Sequence, residues 1–158
     1  MAVRSGCNPT AKILKASIWV RLIMPRRTET IRQKVFLQGK PVQVYDALLN
    51  PKKQIAFTKQ EATANRRVGG KFTVMDGYIS GRNLVLEKAR RIVQEWETTE
   101  WPDGHPPSRL RISLREKNEG TEVRMVHSGV PSEQVEHYRE GWTEYYWKPL
   151  QEYFRKQA

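Results

Sequence analysis

Residues 140–154 read EGWTEYYWKPLQEYF, and this stretch decides the fold. Six of its fifteen side chains are aromatic, whereas only 9% of the whole chain is aromatic. If residues 135–153 form a helix, most of their large side chains point within about 60° of one direction around the helix axis. Trp147 is the exception, because it lies about 140° around the axis from Trp142. The spacing predicts a C-terminal helix of about 25 residues. Its apolar face comprises Val135, Tyr138, Trp142, Tyr145, Tyr146, Pro149 and Tyr153. Pro149 should kink it, because proline removes a backbone hydrogen bond and clashes one turn earlier.

The sequence pattern between residues 31 and 127 predicts a β-sheet, which the C-terminal helix would cover. Apolar and polar residues alternate at 31–37, 110–114 and 123–127, which is typical of half-buried strands. A further strand would place Ile92, Gln94 and Trp96 on one face. The breaks between them are short, so neighbouring strands should pair antiparallel. PVQVYDALLN from Pro41 and PKKQIAFT from Pro51 predict two short helices. The predicted fold class is α+β: a curved antiparallel sheet of about six strands wrapped around the long helix, with two short helices after the first strand.

The space between sheet and helix allows two interpretations. Large rings spaced along a helix rarely fill a concave sheet, which favours a pocket. Alternatively the rings are simply core, each contributing about 2–3 kcal/mol on burial. His127 should point to the same inner face of its strand as Val123 and Met125. It is then either a hydrogen-bonded core residue or an acid or base in the pocket. The candidate cavity-lining residues are Phe72, Val74, Trp96, Met125, His127, Trp142, Tyr146 and Tyr153.

The charge distribution divides the chain in two. The net charge is +11, and residues 1–30 carry six basic side chains and one acid, which leaves +6 for the remainder. We expect residues 1–29 to be a disordered or extraneous leader, with a short interfacial helix as the rival interpretation, and residues 30–158 to be the folded domain. The basic residues beyond the leader stand singly or beside acids, so we expect no nucleic-acid binding. The first 23 residues are too short and too charged for a membrane span.

The residue inventory argues against catalysis. Cys7 is the only cysteine and lies in the leader, and the three histidines do not stand at metal-ligand spacing. VGGKF lacks the spacing and the lysine–serine pair of a phosphate-binding loop. We therefore expect no enzyme activity, no metal and no cofactor, and a cytoplasmic location.

Four motifs in order carry a family resemblance: RVGGKFTVMDGYISG, EWPDGH, SGVP and REGWTEYYWKPLQEYF. The order of elements resembles the helix-grip fold of the SRPBCC superfamily. The motifs more closely resemble the C-terminal domain of the activator of heat-shock-protein-90 ATPase, over residues 31–156. Residues 1–30 are too short to form the separate N-terminal domain of the eukaryotic activators.

The resemblance implies a non-enzymatic module that binds a heat-shock-protein-90-type chaperone and modulates its ATPase. The candidate contact surface is the GGKFTVMDG hairpin with the WPDGH loop, and its candidate partner-binding residues are Lys71, Asp76, Trp101, His105 and Trp147. The alternative is a carrier or sensor of an apolar small molecule or lipid, held between sheet and helix.

Overall fold

The computed structural model describes residues 27–157, and the remainder of the predicted leader lies outside these residues. The first strand begins two residues before the predicted domain boundary at residue 30. In chain order the elements are β1 Thr28–Leu37, α1 Pro41–Leu49, α2 Pro51–Thr58, β2 Thr63–Ala64, β3 Lys71–Val74, β4 Ile79–Glu87, β5 Arg91–Thr98, β6 Ser108–Lys117, β7 Gly120–Pro131, a 3₁₀ turn Ser132–Gln134, α3 Val135–Gly141, a π turn Trp142–Trp147 and α4 Lys148–Gln157. No helix among the described residues is long and apolar enough to cross a lipid bilayer.

The strands form one antiparallel sheet in the order β1-β7-β6-β5-β4-β3-β2. This confirms the predicted antiparallel architecture. The sheet has seven strands instead of about six, because β2 adds a two-residue pair with β3. The chain runs as a meander from β2 to β7, and β1 then pairs with β7 along its length.

The two predicted short helices are present and begin at Pro41 and Pro51 as expected. Asn50 separates them, and its side chain accepts a hydrogen bond from the backbone N–H of Lys52 at 3.0 Å, which satisfies one free donor of the second helix. The helices bury Val44, Ala47, Leu48, Leu49 and Phe57. The two short helices therefore cover part of the sheet, whereas the prediction from the sequence was that the long helix alone covers it.

The inner face of the sheet follows the predicted alternation. Leu110, Ile112 and Leu114 of β6 are buried while the alternating Arg109 and Arg111 are exposed. The next strand buries Val123, Met125 and His127 in the same way. Against this face lie Trp142 and Tyr146 of the C-terminal helix, exposed by 6% and 7%. The predicted packing of the ring-bearing helix face on the sheet is thus confirmed.

The C-terminal helix departs from regular α geometry in the turn before Pro149. Trp142–Trp147 is a π turn, in which carbonyls bond the N–H five residues later, as Thr143 does with Lys148. A wider turn relieves the clash that Pro149 would make with a normal preceding turn. The kink that was predicted at Pro149 is therefore observed as a helical turn with one extra residue.

The π turn corrects two predictions about side-chain direction. Because a π turn takes more residues per revolution, the five steps from Trp142 bring Trp147 back under it, with ring centroids 5.4 Å apart and nearly parallel. Trp147 is only 2% exposed, so its predicted place on a partner-binding surface is wrong. Tyr145, predicted on the buried face, rotates outward and is 63% exposed.

Two glycines of the RVGGKFTVMDGYISG motif allow close backbone packing. A Cβ on Gly81 would lie 1.9 Å from the carbonyl oxygen of Glu95 and 2.8 Å from the ring of Phe72. A Cβ on Gly70 would lie 2.2 Å from the carbonyl oxygen of Asn65. Neither position has room for a side chain. The motif is thus explained by packing around the β3–β4 hairpin.

Candidate functional site

The interior between sheet and helix is filled. The cavity that remains there measures about 30 Å³ and is lined by Phe72, Val74, Trp96, Trp142 and Tyr146, among others. That volume suits a water molecule, whereas small-molecule sites measure about 300–1,000 Å³. At this depth the rings form a core. A ligand-binding role for Phe72 and Val74 stays a prediction, and so does one for Met125, which is 1% exposed.

His127 is fully buried and joins helix to sheet through a chain of hydrogen bonds. The indole N–H of Trp142 donates to His127 Nδ1 at 3.1 Å, so the ring proton sits on Nε2, 2.7 Å from Ser108 Oγ. The Ser108 hydroxyl in turn donates to the carbonyl oxygen of Trp96 at 2.6 Å. Burial lowers the pKa of His127 from 6.5 to about 3, which keeps the ring neutral. The arrangement favours the core interpretation of His127 over an acid or base role.

An open cleft lies at one end of the helix, where the β3–β4 hairpin meets α3 and the π turn. It measures about 310 Å³. Its lining residues are Gln60, Met75, Tyr78, Ile79, Trp96, Glu100, His137, Tyr138, Gly141, Trp142, Tyr145 and Tyr146. Three predicted cavity residues, Trp96, Trp142 and Tyr146, belong to this lining. The cleft is therefore the outer mouth of the predicted sheet–helix space.

Polar groups converge on the rim of this cleft. Tyr78 donates its hydroxyl hydrogen to Glu100 Oε2 at 2.7 Å and lies 3.1 Å from His137 Nε2. Burial, followed by the bond to Glu100, raises the pKa of Tyr78. Deeper in the cleft, burial raises the pKa of Tyr146 to about 12. Both phenols therefore stay neutral at physiological pH, and the cleft presents an aromatic surface with a hydrogen-bonding edge.

The tip of the hairpin owes its shape to left-handed backbone. Met75, Asp76 and Gly77 have φ values of 54°, 58° and 84°. The Asp76 carboxylate accepts from the backbone N–H of Glu61 at 2.7 Å, and the Asp76 N–H donates to the Glu61 carbonyl at 3.0 Å. This clamp holds Met75 and Tyr78 at the cleft.

The other predicted partner-binding residues surround the hairpin and the neighbouring loop. Lys71 is exposed on β3. Trp101 is half-buried, and its ring centroid lies 6.0 Å from that of Trp96 and 5.6 Å from that of His105. His105 in turn contacts the Gly129 carbonyl at 3.2 Å. Their role in partner binding stays a prediction.

Sequence reasoning missed several cleft residues. Tyr78, Glu100 and His137 were not named as candidates, whereas Met75 belongs to the predicted contact hairpin and Tyr145 to the predicted apolar face of the helix. Tyr78 directly follows the Asp76-Gly77 turn, which is the one local signal that could have placed it at the base of a hairpin tip. Tyr153, predicted to line the cavity, is half-buried and has its ring centroid 6.2 Å from that of Phe57, near the two short helices.

An antiparallel sheet that packs a long C-terminal helix on one face, with two short helices after its first strand, defines a helix-grip protein. Residues 39–155 match the family model described as "Activator of Hsp90 ATPase homolog 1-like protein", and the chain belongs to that family.

Known relatives agree with this assignment. The chain is 32% identical over 114 residues to human "Activator of 90 kDa heat shock protein ATPase homolog 1", covering 72% of this chain and 33% of that protein. It is 34% identical over 116 residues to a Dictyostelium discoideum homolog, covering 73% and 30%. The chain thus spans about a third of the length of the curated relatives it matches. A crystal structure of an HSP90 activator from Plasmodium falciparum shares the fold, with a TM-score of 0.67, 20% identity and coverage of 75% and 89%.

Proposed function

We propose that this chain is a non-enzymatic module that binds an Hsp90-type chaperone in the cytoplasm and modulates its ATPase. The observation that carries the proposal is the open aromatic cleft on a protein whose interior is filled. The curated relatives named above are activators of 90 kDa heat shock protein ATPase. We place the chaperone contact at the cleft.

The composition of the cleft supports a protein contact. Tyr145 is 63% exposed and lines the cleft together with the hairpin-tip residue Met75. Tyrosine and methionine are enriched in protein–protein interfaces, and a few aromatic anchors usually carry most of the binding energy. The rim formed by Tyr78, Glu100 and His137 supplies the polar border that such interfaces have.

The environment of His127 supports a non-catalytic role. Its two nitrogens are occupied by Trp142 and Ser108, and the side chain is 0% exposed. A general acid or base must come within hydrogen-bond reach of a substrate proton. His127 has no free nitrogen to offer one.

The test is a titration of an Hsp90-type chaperone with the purified chain, following both complex formation and ATP turnover. We expect Tyr145→Ala to weaken binding about tenfold, as for an exposed aromatic anchor. Val68→Ala is the matched control, because Val68 is 66% exposed but outside the cleft lining. An absent complex, or equal affinity of the two variants, would overturn the proposal for that chaperone.

A second candidate function is the binding of an apolar small molecule in the same cleft. The cleft volume of about 310 Å³ favours it, since this is the lower end of the range for small-molecule sites. Native mass spectrometry should then show a retained apolar ligand. The fluorescence of 8-anilinonaphthalene-1-sulfonate should also rise on the original protein and less on Tyr145→Ala. Chaperone binding that the dye does not affect would separate the two functions.

A further inference from the structure

The opposite face of the sheet carries a second groove. It measures about 320 Å³ and is lined by Val85, Arg91, Val93, Arg109, Arg111, Val126 and Ser128. Strand register explains the arrangement, because Arg111 pairs with Val93 on one side and with Val126 on the other. Arg109 and Arg111 alternate with the buried Leu110 and Ile112, so the groove and the aromatic cleft lie on opposite sides of the sheet.

Three acidic side chains on this face are paired with neighbouring cations. Glu87 pairs with Arg91 at 2.6 Å, and Glu95 pairs with Arg82 at 2.8 Å. Glu122 is 5% exposed beneath three cations, which are Arg115, Lys117 and Arg124. Hydrogen bonds from Lys117 and Arg124 lower the pKa of Glu122 to about 2, so its carboxylate stays charged and held in place.

Other cations on the same face form no such ion pair, although Arg109 lies opposite Glu95 in the strand register. Among residues 27–157, the exposed side chains of Arg32, Lys34, Arg109 and Arg111 form no ion pair. Arg32 and Lys34 lie on β1, in register with Val126 and Arg124 of β7. Positive charge therefore extends from the groove across the adjoining strands without compensation.

We propose that this cationic groove binds an acidic polypeptide segment of a partner protein. Guanidinium groups pair with carboxylates through two parallel hydrogen bonds. The floor of Val85, Val93 and Val126 fits short aliphatic side chains between the acids. Single-stranded nucleic acid is the less suitable occupant, because its binding sites stack bases on aromatic rings, and the groove lining contains none.

The groove is independent of the proposed chaperone contact, since the cleft shares no lining residue with it. The partner segment is defined by chemistry: several carboxylates flanking a short aliphatic centre. Charge complementarity of this kind mainly increases association rate and specificity, and it weakens with salt.

The experiment measures fluorescence anisotropy of a labelled decapeptide with eight glutamates around a central valine pair, added to the full chain. We expect binding that weakens with salt. Arg109→Thr/Arg111→Thr should lower the affinity about tenfold, equal to about 1.4 kcal/mol. Threonine suits exposed strand positions, and an unchanged unfolding temperature would verify the fold. A peptide with serines in place of the valines should bind less tightly.

The matched control removes the same charge elsewhere. Lys52→Gln/Arg67→Gln changes two exposed cations outside the groove and should leave peptide affinity unchanged. If both double variants weaken peptide binding equally, the peptide responds to the net charge of the protein and not to the groove, and the proposal is overturned. So would undetectable peptide binding. Preferential binding of a decathymidine or of phosphatidylserine vesicles through Arg109 and Arg111 would also overturn it, in favour of a nucleic acid or a membrane. No arm uses a chaperone, so the result is separate from that of the proposed function.

Discussion

Stability should fall on mild acidification because of one buried imidazole. His127 is 0% exposed and neutral in the fold, with a pKa lowered by burial from 6.5 to about 3. In the unfolded chain the ring takes up a proton once the pH falls below 6.5. Its contribution to stability is therefore fully present above pH 6.5 and is lost as the pH falls from 6.5 towards 3.

The size of the effect follows from the two pKa values. At pH 5 the folded ring is still neutral, so only the unfolded chain gains from protonation. The free energy of unfolding should be about 2 kcal/mol lower at pH 5 than at pH 7 because of this side chain. Carboxyl groups with lowered pKa, such as Glu122, lose their stabilisation mainly below pH 4.5, so they change the free energy of unfolding little in this window.

The assay is denaturant unfolding at pH 7, 6 and 5 for the original protein and for His127→Gln, which cannot titrate. The variant should be less stable at pH 7, by about 1–3 kcal/mol, because Trp142 and Ser108 lose well-placed partners. Between pH 7 and pH 5, the free energy of unfolding of the variant should also fall by about 2 kcal/mol less than that of the original protein. Val68→Ala, at an exposed position with no titratable group, is the control and should keep the original slope.

Equal pH slopes for the original protein and for His127→Gln would refute this reasoning. If the variant does not fold, the imidazole can be titrated directly by NMR in the original protein. A His127 ring that protonates near pH 6.5 in the folded state would refute it equally.

Three further substitutions test separate contacts. Gly81→Ala should destabilise the fold by about 3 kcal/mol, measured by denaturant unfolding, because its Cβ would lie 1.9 Å from the Glu95 carbonyl oxygen; a cost below 0.5 kcal/mol would contradict that packing. Trp147→Phe should cost about 1–2 kcal/mol, because the indole N–H donates to Gln33 Oε1 at 2.8 Å, and should leave dye binding at the cleft unchanged. Glu122→Gln should lower the free energy of unfolding at pH 7 and make it less sensitive to acid below pH 4.5. The reason is that the pKa of this carboxyl is lowered in the fold, so its stabilisation is lost as the pH falls towards 2. A variant whose unfolding midpoint changes from pH 5 to 3 as that of the original protein does would argue against the cluster.

Local patterns predicted much of the fold. Period-two alternation placed Leu110, Ile112 and Leu114 on the inner face, because a half-buried strand has no other way to hide its apolar residues. Helical spacing did the same for Trp142 and Tyr146. These signals act over a few residues, so the sequence alone carries them.

The directions of Tyr145 and Trp147 could not be predicted from a uniform helical period. A proline in the interior of a helix allows either a kink or a widened turn. The choice depends on which ring the sheet can accept, and Trp147 finds Gln33 on β1 as a partner. The sequence separation of that contact is 114 residues.

The candidate site was predicted in part. The aromatic residues of the sheet–helix space were correctly grouped, but their sequence gives no measure of how completely they fill it. The rim depends on contacts such as Tyr78 with His137, 59 residues apart. The Asp76-Gly77 turn is the one local signal for Tyr78, and no local pattern marks His137.

The pairing of β1 with β7 has a consequence for synthesis. Leu37 lies opposite Thr121 and Thr28 lies opposite Pro131, so β1 leaves the ribosome well before its partner β7, the last strand among the described residues. At about 5–20 residues per second, that interval lasts roughly 5–20 s. For this time the nascent chain carries an unpaired strand next to the two early helices, and a cell has to protect it until translation reaches the final hairpin.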